Sequence, residues 1–372
     1  MQQYNIVSAD SHINEPPDLF NSVPKALREL APKVVHLEKG DAWLMAPDAE
    51  PRFLSTSAVA GRKKEEYLAK PVTFAGMRPG SFEPAERIKD MDIDSIDGDV
   101  LYPGIMRYLG KCANDEVRLA CAMAYNEWIA DFCKHNPERL IGIGVAPQLD
   151  DNGGRNSVAA LRHAAKLGLP GLFLGQKDGG TPLHHPDAEA FWAAAAELGM
   201  PISIHTHTNP FTRGMRPEIL KLPGSRELAP STGTISIVEH LTFLIFGGVF
   251  MRHPTLKVVL AEGGIGWIPF FLQRLDHVFQ VHRPYMGSPV TEKPSETFRR
   301  QVYATFQDDR AGVLLRELIG VDNIMWASDY PHTDTTWPES KKVIEETFEG
   351  VSAADKRKMV CDNAARLYGF SR

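Results

Sequence analysis

Eight short apolar runs, each followed by a stretch with helical patterning, predict an α/β chain closed as a (β/α)8 TIM-type barrel. Two further observations favour the closed barrel over an open, doubly wound sheet. No glycine fingerprint follows the first run, where a dinucleotide-binding sheet would carry one. Several runs also end in Asp, Glu or His, whereas packing alone would place apolar residues there.

The runs are, in order, NIVSAD (5–10), DGDVLYP (97–103), RLIGIGVAP (139–147), GLPGLFLG (168–175), MPISIHTH (200–207), LKVVLAEGG (256–264), RQVYATFQDD (300–309) and NIMWASDYPH (323–332). Such buried runs alternating with helices read as parallel strands joined by crossovers. Helical patterns fill the gaps at 114–136, 156–168, 187–199, 231–248 and 266–280, three of them stopping at a glycine. The interval between the first two strands is too long for an ordinary connection. We expect a single domain over 1–372, with residues 16–85 as a cap insertion and 208–233 as a long active-site loop. The cap contains KVVHLEKGDAWLM (33–45), a hairpin pattern turning at Lys39-Gly40-Asp41, and a helix over 83–94 that feeds the second strand. Trp43, Phe53, Phe74 and Phe211 are candidates either to line a pocket or to form the cap's own core.

Composition excludes several classes of protein. The chain has 372 residues, 43% hydrophobic and 24% charged, as a globular protein does. A net charge of −6 argues against a nucleic-acid partner. No apolar stretch is long enough for a membrane helix, and the N-terminal residues do not resemble a secretory signal. Cys112, Cys121, Cys133 and Cys361 lack CxxC spacing, which suits reduced core thiols in the cytoplasm.

In the first run, Asp10 and His12 stand two apart and so share one face of a strand, with Glu15 shortly after. The fifth run ends in His205 and His207, the sixth in Glu262, and the eighth in Asp329 followed by His332. In a barrel all these ends ring one mouth, and a mix of carboxylate and imidazole is what borderline divalent metals take. Taken singly, Asp329 also suits a helix N-cap, His207 and His332 suit loop chemistry, and Glu15 suits bonding to backbone amides. His240, His253 and the His184-His185 pair read as structural.

The segments DSHINEPPDLF (10–20), YNEWIADFC (125–133), ISIHTH (202–207), 247–276, WASDYPHTD (326–334) and DNAARLYGF (362–370) together resemble the amidohydrolase superfamily. The likeness is to its amidohydrolase-2 branch, which includes aminocarboxymuconate-semialdehyde and γ-resorcylate decarboxylases. The resemblance implies a divalent metal at the C-terminal mouth held by Asp10, His12, His205 and Asp329, and a homodimer or higher homo-oligomer. This chain departs from those decarboxylases in two places. Asp10 replaces the first His or Glu of the strand-one pair, and Glu262 stands where many relatives carry a catalytic His.

Three readings follow. The first is a metal-dependent hydrolase or non-oxidative decarboxylase acting on a small, carboxylated substrate. There Zn²⁺ or Mn²⁺ sits on the four ligands, Glu262 is general acid or base, and His207 or His332 orients substrate. Arg107, Arg213 or Arg310 would hold the substrate carboxylate. The second is a dinuclear non-haem iron oxygenase, with Glu262 bridging and Glu15, His207 and His332 available to the second ion. The third is an inactive homologue that partners an active one.

Overall fold

The computed structural model describes residues 4–67, 70–148, 154–175, 181–206, 222–233 and 235–370. Strands β1 (Val7–His12), β2 (Lys33–Leu37), β3 (Gly40–Leu44), β4 (Arg52–Phe53), β5 (Gly98–Tyr102) and β6 (Leu140–Gly142) come first. They are followed by β7 (Gly144–Ala146), β8 (Leu172–Leu174), β9 (Ile202–His205), β10 (Val258–Ala261), β11 (Val302–Phe306) and β12 (Ile324–Trp326). All except β2, β3 and β4 pair in parallel, in the sheet orders β1-β5-β6 and β7-β8-β9-β10-β11-β12.

Two junctions close these sheets into the barrel. Between β12 and β1, Asp329 N–H donates to Asp10 O at 3.1 Å and His12 N–H to Tyr330 O at 2.5 Å. The run over 139–147, expected as one strand, divides at Ile143 into β6 and β7. Ile143 N–H still donates to Leu101 O in β5, but Gly144 N–H donates to Gly171 O, just before β8. The strand changes partners there, so one run serves both edges. Asn126, on the helix above, completes the junction. It accepts from Val145 N–H at 2.7 Å and donates to Val145 O at 3.1 Å.

Helices on the outside follow their local signals. Asp115–Cys133 starts at Asn114, whose side chain accepts from Val117 N–H at 2.9 Å, with Asp115 and Glu116 near the positive end of the helix dipole. Glu189–Leu198 ends at Gly199, whose φ of 62° a residue with a Cβ adopts reluctantly. Arg155–Lys166, Ile235–Phe246 and Ile268–Val281 occupy the other predicted intervals. Apolar faces of these elements bury Trp192, Phe191, Phe173, Phe250, Phe298 and Phe306.

Between β1 and β5, β2 and β3 pair antiparallel with Leu37 opposite Gly40, and β4 adds to β3. Trp43 is buried there, edge-on to Phe20 at 5.7 Å and to Phe74 at 6.2 Å. The helix Pro84–Ile93 then leads into β5. This segment is tied to the C-terminal end of the barrel: Asn14 N–H donates to Ser81 O at 2.7 Å, and Val59 N–H to Pro331 O at 2.9 Å. After β9, residues 207–221 lie outside the described part. The rest of the expected 208–233 loop is not all loop, because Ser225–Thr232 is helical.

Candidate metal centre

The ends of β1, β9, β10 and β12 deliver the polar cluster. Asp10 and His12 converge from β1, whose register against β5 shifts between Ser8 and Ser11. His205 closes β9 opposite Ala261 of β10, so Glu262 is the next residue beyond that register pair. Glu262 and Asp329 have φ of 55° and 52°, a left-handed conformation uncommon for residues with a Cβ. Both occupy the turn where the chain leaves its strand. Strain of this kind is concentrated at functional sites.

The donor atoms converge. His205 Nε2 lies 3.2 Å from His12 Nε2 and 3.0 Å from Glu262 Oε2. His12 Nε2 lies 3.7 Å from Asp10 Oδ1, 3.5 Å from Glu262 Oε2 and 3.6 Å from Asp329 Oδ1. His332 stacks on His12 at 3.9 Å, and its Nδ1 is 3.0 Å from Asp329 Oδ1. Ligands about 2.0–2.2 Å from a shared ion stand roughly 3–4 Å from each other, the separation found here.

The orientation of each group supports the same conclusion. His12 Nδ1 is 3.0 Å from Pro103 O and His205 Nδ1 is 2.9 Å from Thr206 O. A carbonyl only accepts, so each Nδ1 carries the proton and each Nε2 turns its lone pair toward the other. Two lone pairs at this range need a proton or a cation between them. Asp10 Oδ1, Glu262 Oε2 and both carboxylate oxygens of Asp329 are buried without a hydrogen-bond donor. Buried carboxylate oxygens are rarely left so. The donor set therefore fits a divalent cation.

Charge states in the metal-free protein show what that cation would replace. Burial, reinforced by Glu262 and Asp329, pushes Asp10 up to about 8 against the pull of His205. Burial also raises Asp329 well above the carboxylate range. For His205 burial acts downward, but Glu262 and Asp10 hold its imidazolium up to about 9. Burial opposes ionisation of Glu262 too, yet the imidazolium charge of His205 beside it keeps it well below its usual value. Protons on Asp10 and His205 thus stand in for the missing positive charge.

Behind these groups lies a set of supports that strand patterning did not reveal. Arg87, on the insertion helix, is buried. It donates to His12 O at 2.9 Å, to Ser11 Oγ at 2.7 Å and to Asp99 Oδ2 at 2.8 Å, and stacks on the Tyr330 ring at 4.2 Å. Thr305 of β11 touches both Asp10 and Glu262. The sequence signal for Arg87 is a charged residue on the buried face of its helix, and for Thr305 there is none.

Of the residues singled out in the sequence, Asp10, His12, His205, Glu262, Asp329 and His332 come together. Donor atoms of Asp10, His12 and His205 lie within 4.8 Å of one another, as do those of His12, Glu262, Asp329 and His332. His207 and Arg213 fall outside the described residues, as does Phe211. Glu15 does not join the cluster. Its Oε1 accepts from Gly104 N–H at 3.0 Å and Met106 N–H at 3.1 Å, and its Oε2 from Ile105 N–H at 2.7 Å. Three backbone donors saturate the carboxylate and remove it from the reach of a second ion. Gly104 is needed there, since a Cβ would stand 2.2 Å from Ile13 O. Arg310 is likewise engaged elsewhere. It donates to the carbonyls of Thr347 and Glu349, both at 2.9 Å, capping the C-terminal end of the helix Ser340–Thr347.

Arg107, by contrast, is close to the centre. Burial and then the charge of Arg107 depress His332 to about 3, and Tyr108, Glu262 and Asp329 support the Arg107 charge against its own burial. Its Nε is buried without an acceptor among the described residues. Arg107 and Tyr108 form one wall of a cavity of about 450 Å³, and Trp43, Arg52, Phe53 and Ser57 of the insertion form another. Arg52 lies over the Tyr108 ring at 3.7 Å.

A barrel whose strand ends converge on a cation-binding cluster defines a class of metal-dependent barrel enzymes. Within that class the chain belongs to the amidohydrolase family, which it matches over residues 9–370. It is 28% identical over 307 residues to a 2-amino-3-carboxymuconate-6-semialdehyde decarboxylase of Dictyostelium discoideum, covering 80% of this chain and 79% of the relative. To a γ-resorcylate decarboxylase of Rhodococcus jostii (strain RHA1) it is 26% identical over 341 residues, covering 83% and 98%. A solved amidohydrolase of Mycobacterium avium subsp. paratuberculosis K-10 superposes with a TM-score of 0.79 at 22% identity, covering 99% of both chains. A dihydroxybenzoic acid decarboxylase of Polaromonas sp. JS666, solved with manganese and 2-nitroresorcinol, shares the fold with a TM-score of 0.67 at 17% identity, covering 100% of this chain and 98% of that one. No helix among the described residues is long and apolar enough to cross a membrane.

Proposed function

We propose that this enzyme removes CO₂ non-oxidatively from a small carboxylated aromatic or unsaturated acid, using one divalent metal, Mn²⁺ or Zn²⁺. The observation that carries the reading is the convergence of Asp10, His12, His205 and Asp329, with Glu262, on one point where carboxylate oxygens lack donors. The decarboxylase names of the relatives support the reaction class, and the manganese of the Polaromonas structure supports the choice of ion. When bound, the metal supplies a positive charge that orients substrate oxygens and stabilises the electrons left when CO₂ departs.

The chain's own residues do the rest. Arg107 pairs with substrate carboxylate through its free Nε and aligns the acid in the cavity. Glu262 starts ionised, takes a proton from a substrate hydroxyl at Oε2, and returns it to the carbon that loses CO₂. The carbon–carboxyl bond breaks to release CO₂, and its electron pair takes the proton from Glu262 to form the C–H bond. The hydroxyl oxygen left as an anion regains a proton from water on product release, so the sum is one carboxylate and one proton in, one C–H bond and one CO₂ out. His332, with Nδ1 3.0 Å from Asp329 Oδ1 and its ring stacked on His12, fixes the far wall. The 16–85 insertion caps the mouth, and the unit works as a homodimer in the cytoplasm.

Elemental analysis of untagged protein purified without added metal is the first test. CO₂ release from a panel of hydroxybenzoates and unsaturated dicarboxylates is the second. About one manganese or zinc per chain, with release abolished in Glu262→Gln, supports the proposal. One observation favours a second reading: three carboxylates (Asp10, Glu262, Asp329) surround the point, more charge than one dication balances. Two irons per chain and reductant-dependent oxygen uptake would establish a dinuclear oxygenase instead. A chain that takes up no metal would be an inactive homologue.

A further inference from the structure

We propose that Thr305 is a positioning residue for the metal centre, setting Asp10 and Glu262 as a pair through a single hydroxyl; the inference rests on the metal reading above. Thr305 lies in β11 and is fully buried. Its Oγ1 is 2.8 Å from Glu262 N and 3.1 Å from Asp10 Oδ2. A hydroxyl has one proton and two lone pairs. The backbone N–H of Glu262 can only donate, so Oγ1 accepts there and its own proton is free to go elsewhere. When a cation displaces its proton, Asp10 is ionised and can only accept, so the hydroxyl proton goes to Oδ2.

This one-way arrangement has two consequences. Asp10 is turned so that Oδ2 is used and Oδ1 faces the centre without a donor. Glu262, in the left-handed region at φ 55°, has its N–H anchored, which holds the turn that carries Oε2 to within 3.0 Å of His205. Strands β1 and β10 do not pair, so the hydroxyl is a direct link between two donors that the sheet does not join. A buried threonine that merely satisfied its own hydroxyl would leave the cation affinity unchanged on removal.

The experiment is titration of the metal-free full-length protein with Mn²⁺ alone, reading free Mn²⁺ by electron paramagnetic resonance. Thr305→Val keeps the shape and removes the hydroxyl. It is expected to weaken Mn²⁺ binding about 10–100-fold, whereas Thr305→Ser stays within about threefold of wild type. Thr305→Val with affinity within about threefold of wild type overturns the inference and leaves the metal reading intact. Should the valine protein not fold, Thr305→Ala repeats the loss with no added bulk. A Thr305→Ser protein as weak as Thr305→Ala also overturns the inference, because the hydroxyl would then be irrelevant. Wild-type protein that binds no Mn²⁺ at all overturns the metal reading and this inference with it.

Discussion

Two groups of buried carboxylates lie within the same end of this barrel and are treated in opposite ways. In the shell around the mouth, Asp99 is held by Arg87, Asp90 by Arg78 and Tyr330, and Glu15 by three backbone N–H groups. At the centre, Asp10 Oδ1, Glu262 Oε2 and both oxygens of Asp329 have no donor. Burial is equally deep for Asp99, Glu15, Asp10 and Asp329. The difference teaches that this chain can satisfy a buried carboxylate when the role is structural. Where it leaves several unsatisfied and aimed at one point, the missing partner is a cation from solution.

If that contrast is right, the largest effect comes from deleting a central ligand. His205→Ala should leave fewer than about one chain in ten loaded with metal under conditions that saturate wild type, measured by elemental analysis after gel filtration. Full loading would remove His205 from the ligand set. Next in size is a break in the shell. Arg87→Met leaves Asp99 buried without its partner and should destabilise the metal-free fold by about 3–5 kcal/mol in urea unfolding. Asp329→Asn should act in the reverse sense on metal-free protein, raising stability by about 1 kcal/mol or more at pH 8, because burial raises this carboxyl well above its unfolded value and folding must then protonate it, a cost the amide does not carry. Equal signs for these two variants would erase the distinction between shell and centre.

A smaller effect separates the two glutamates. Glu15→Gln replaces one acceptor oxygen by an amide donor facing backbone N–H groups. It should cost about 1–3 kcal/mol of stability with metal stoichiometry unchanged. A loss of one metal per chain would restore Glu15 as a ligand. The smallest effect is on pH. Asp10, raised to about 8, and His205, raised to about 9, carry protons in the metal-free protein at neutral pH. Cation binding must release them, so affinity rises with pH through this range, about tenfold per pH unit for each proton displaced. Calorimetry in buffers of different ionisation enthalpy counts those protons, and a count of zero contradicts the assignment.

Much of the centre was legible along the chain because its candidate ligands sit at strand ends, where apolar patterning stops abruptly. The i, i+2 spacing of Asp10 and His12 brings them together even though β1 shifts register between Ser8 and Ser11, and His205 and Asp329 each end an apolar run. Glu15 was ambiguous because its partners are backbone N–H groups of residues 104–106, about ninety positions away, and backbone donors carry no sequence signal. Arg310 and Arg107 look alike as arginines following strands. One caps the carbonyls of a helix and the other lines a cavity beside the centre, a distinction set by packing. Thr305 was invisible for a related reason: threonine is common in strands, and nothing local says that its hydroxyl meets residues of two other strands.

By itself, then, the amino-acid sequence determined the order of the eight barrel runs, the insertion after the first, and the residue types offered at the mouth. These follow from local periodicity and from composition at strand ends, which neighbouring residues decide. Tertiary structure alone decided which carboxylates are consumed by internal donors and which remain open. It also decided the partner change at Ile143 and the tautomers of His12 and His205, fixed by Pro103 O and Thr206 O. Hydrogen bonding is directional and short-ranged, so these outcomes depend on where distant parts of the chain meet when the barrel closes.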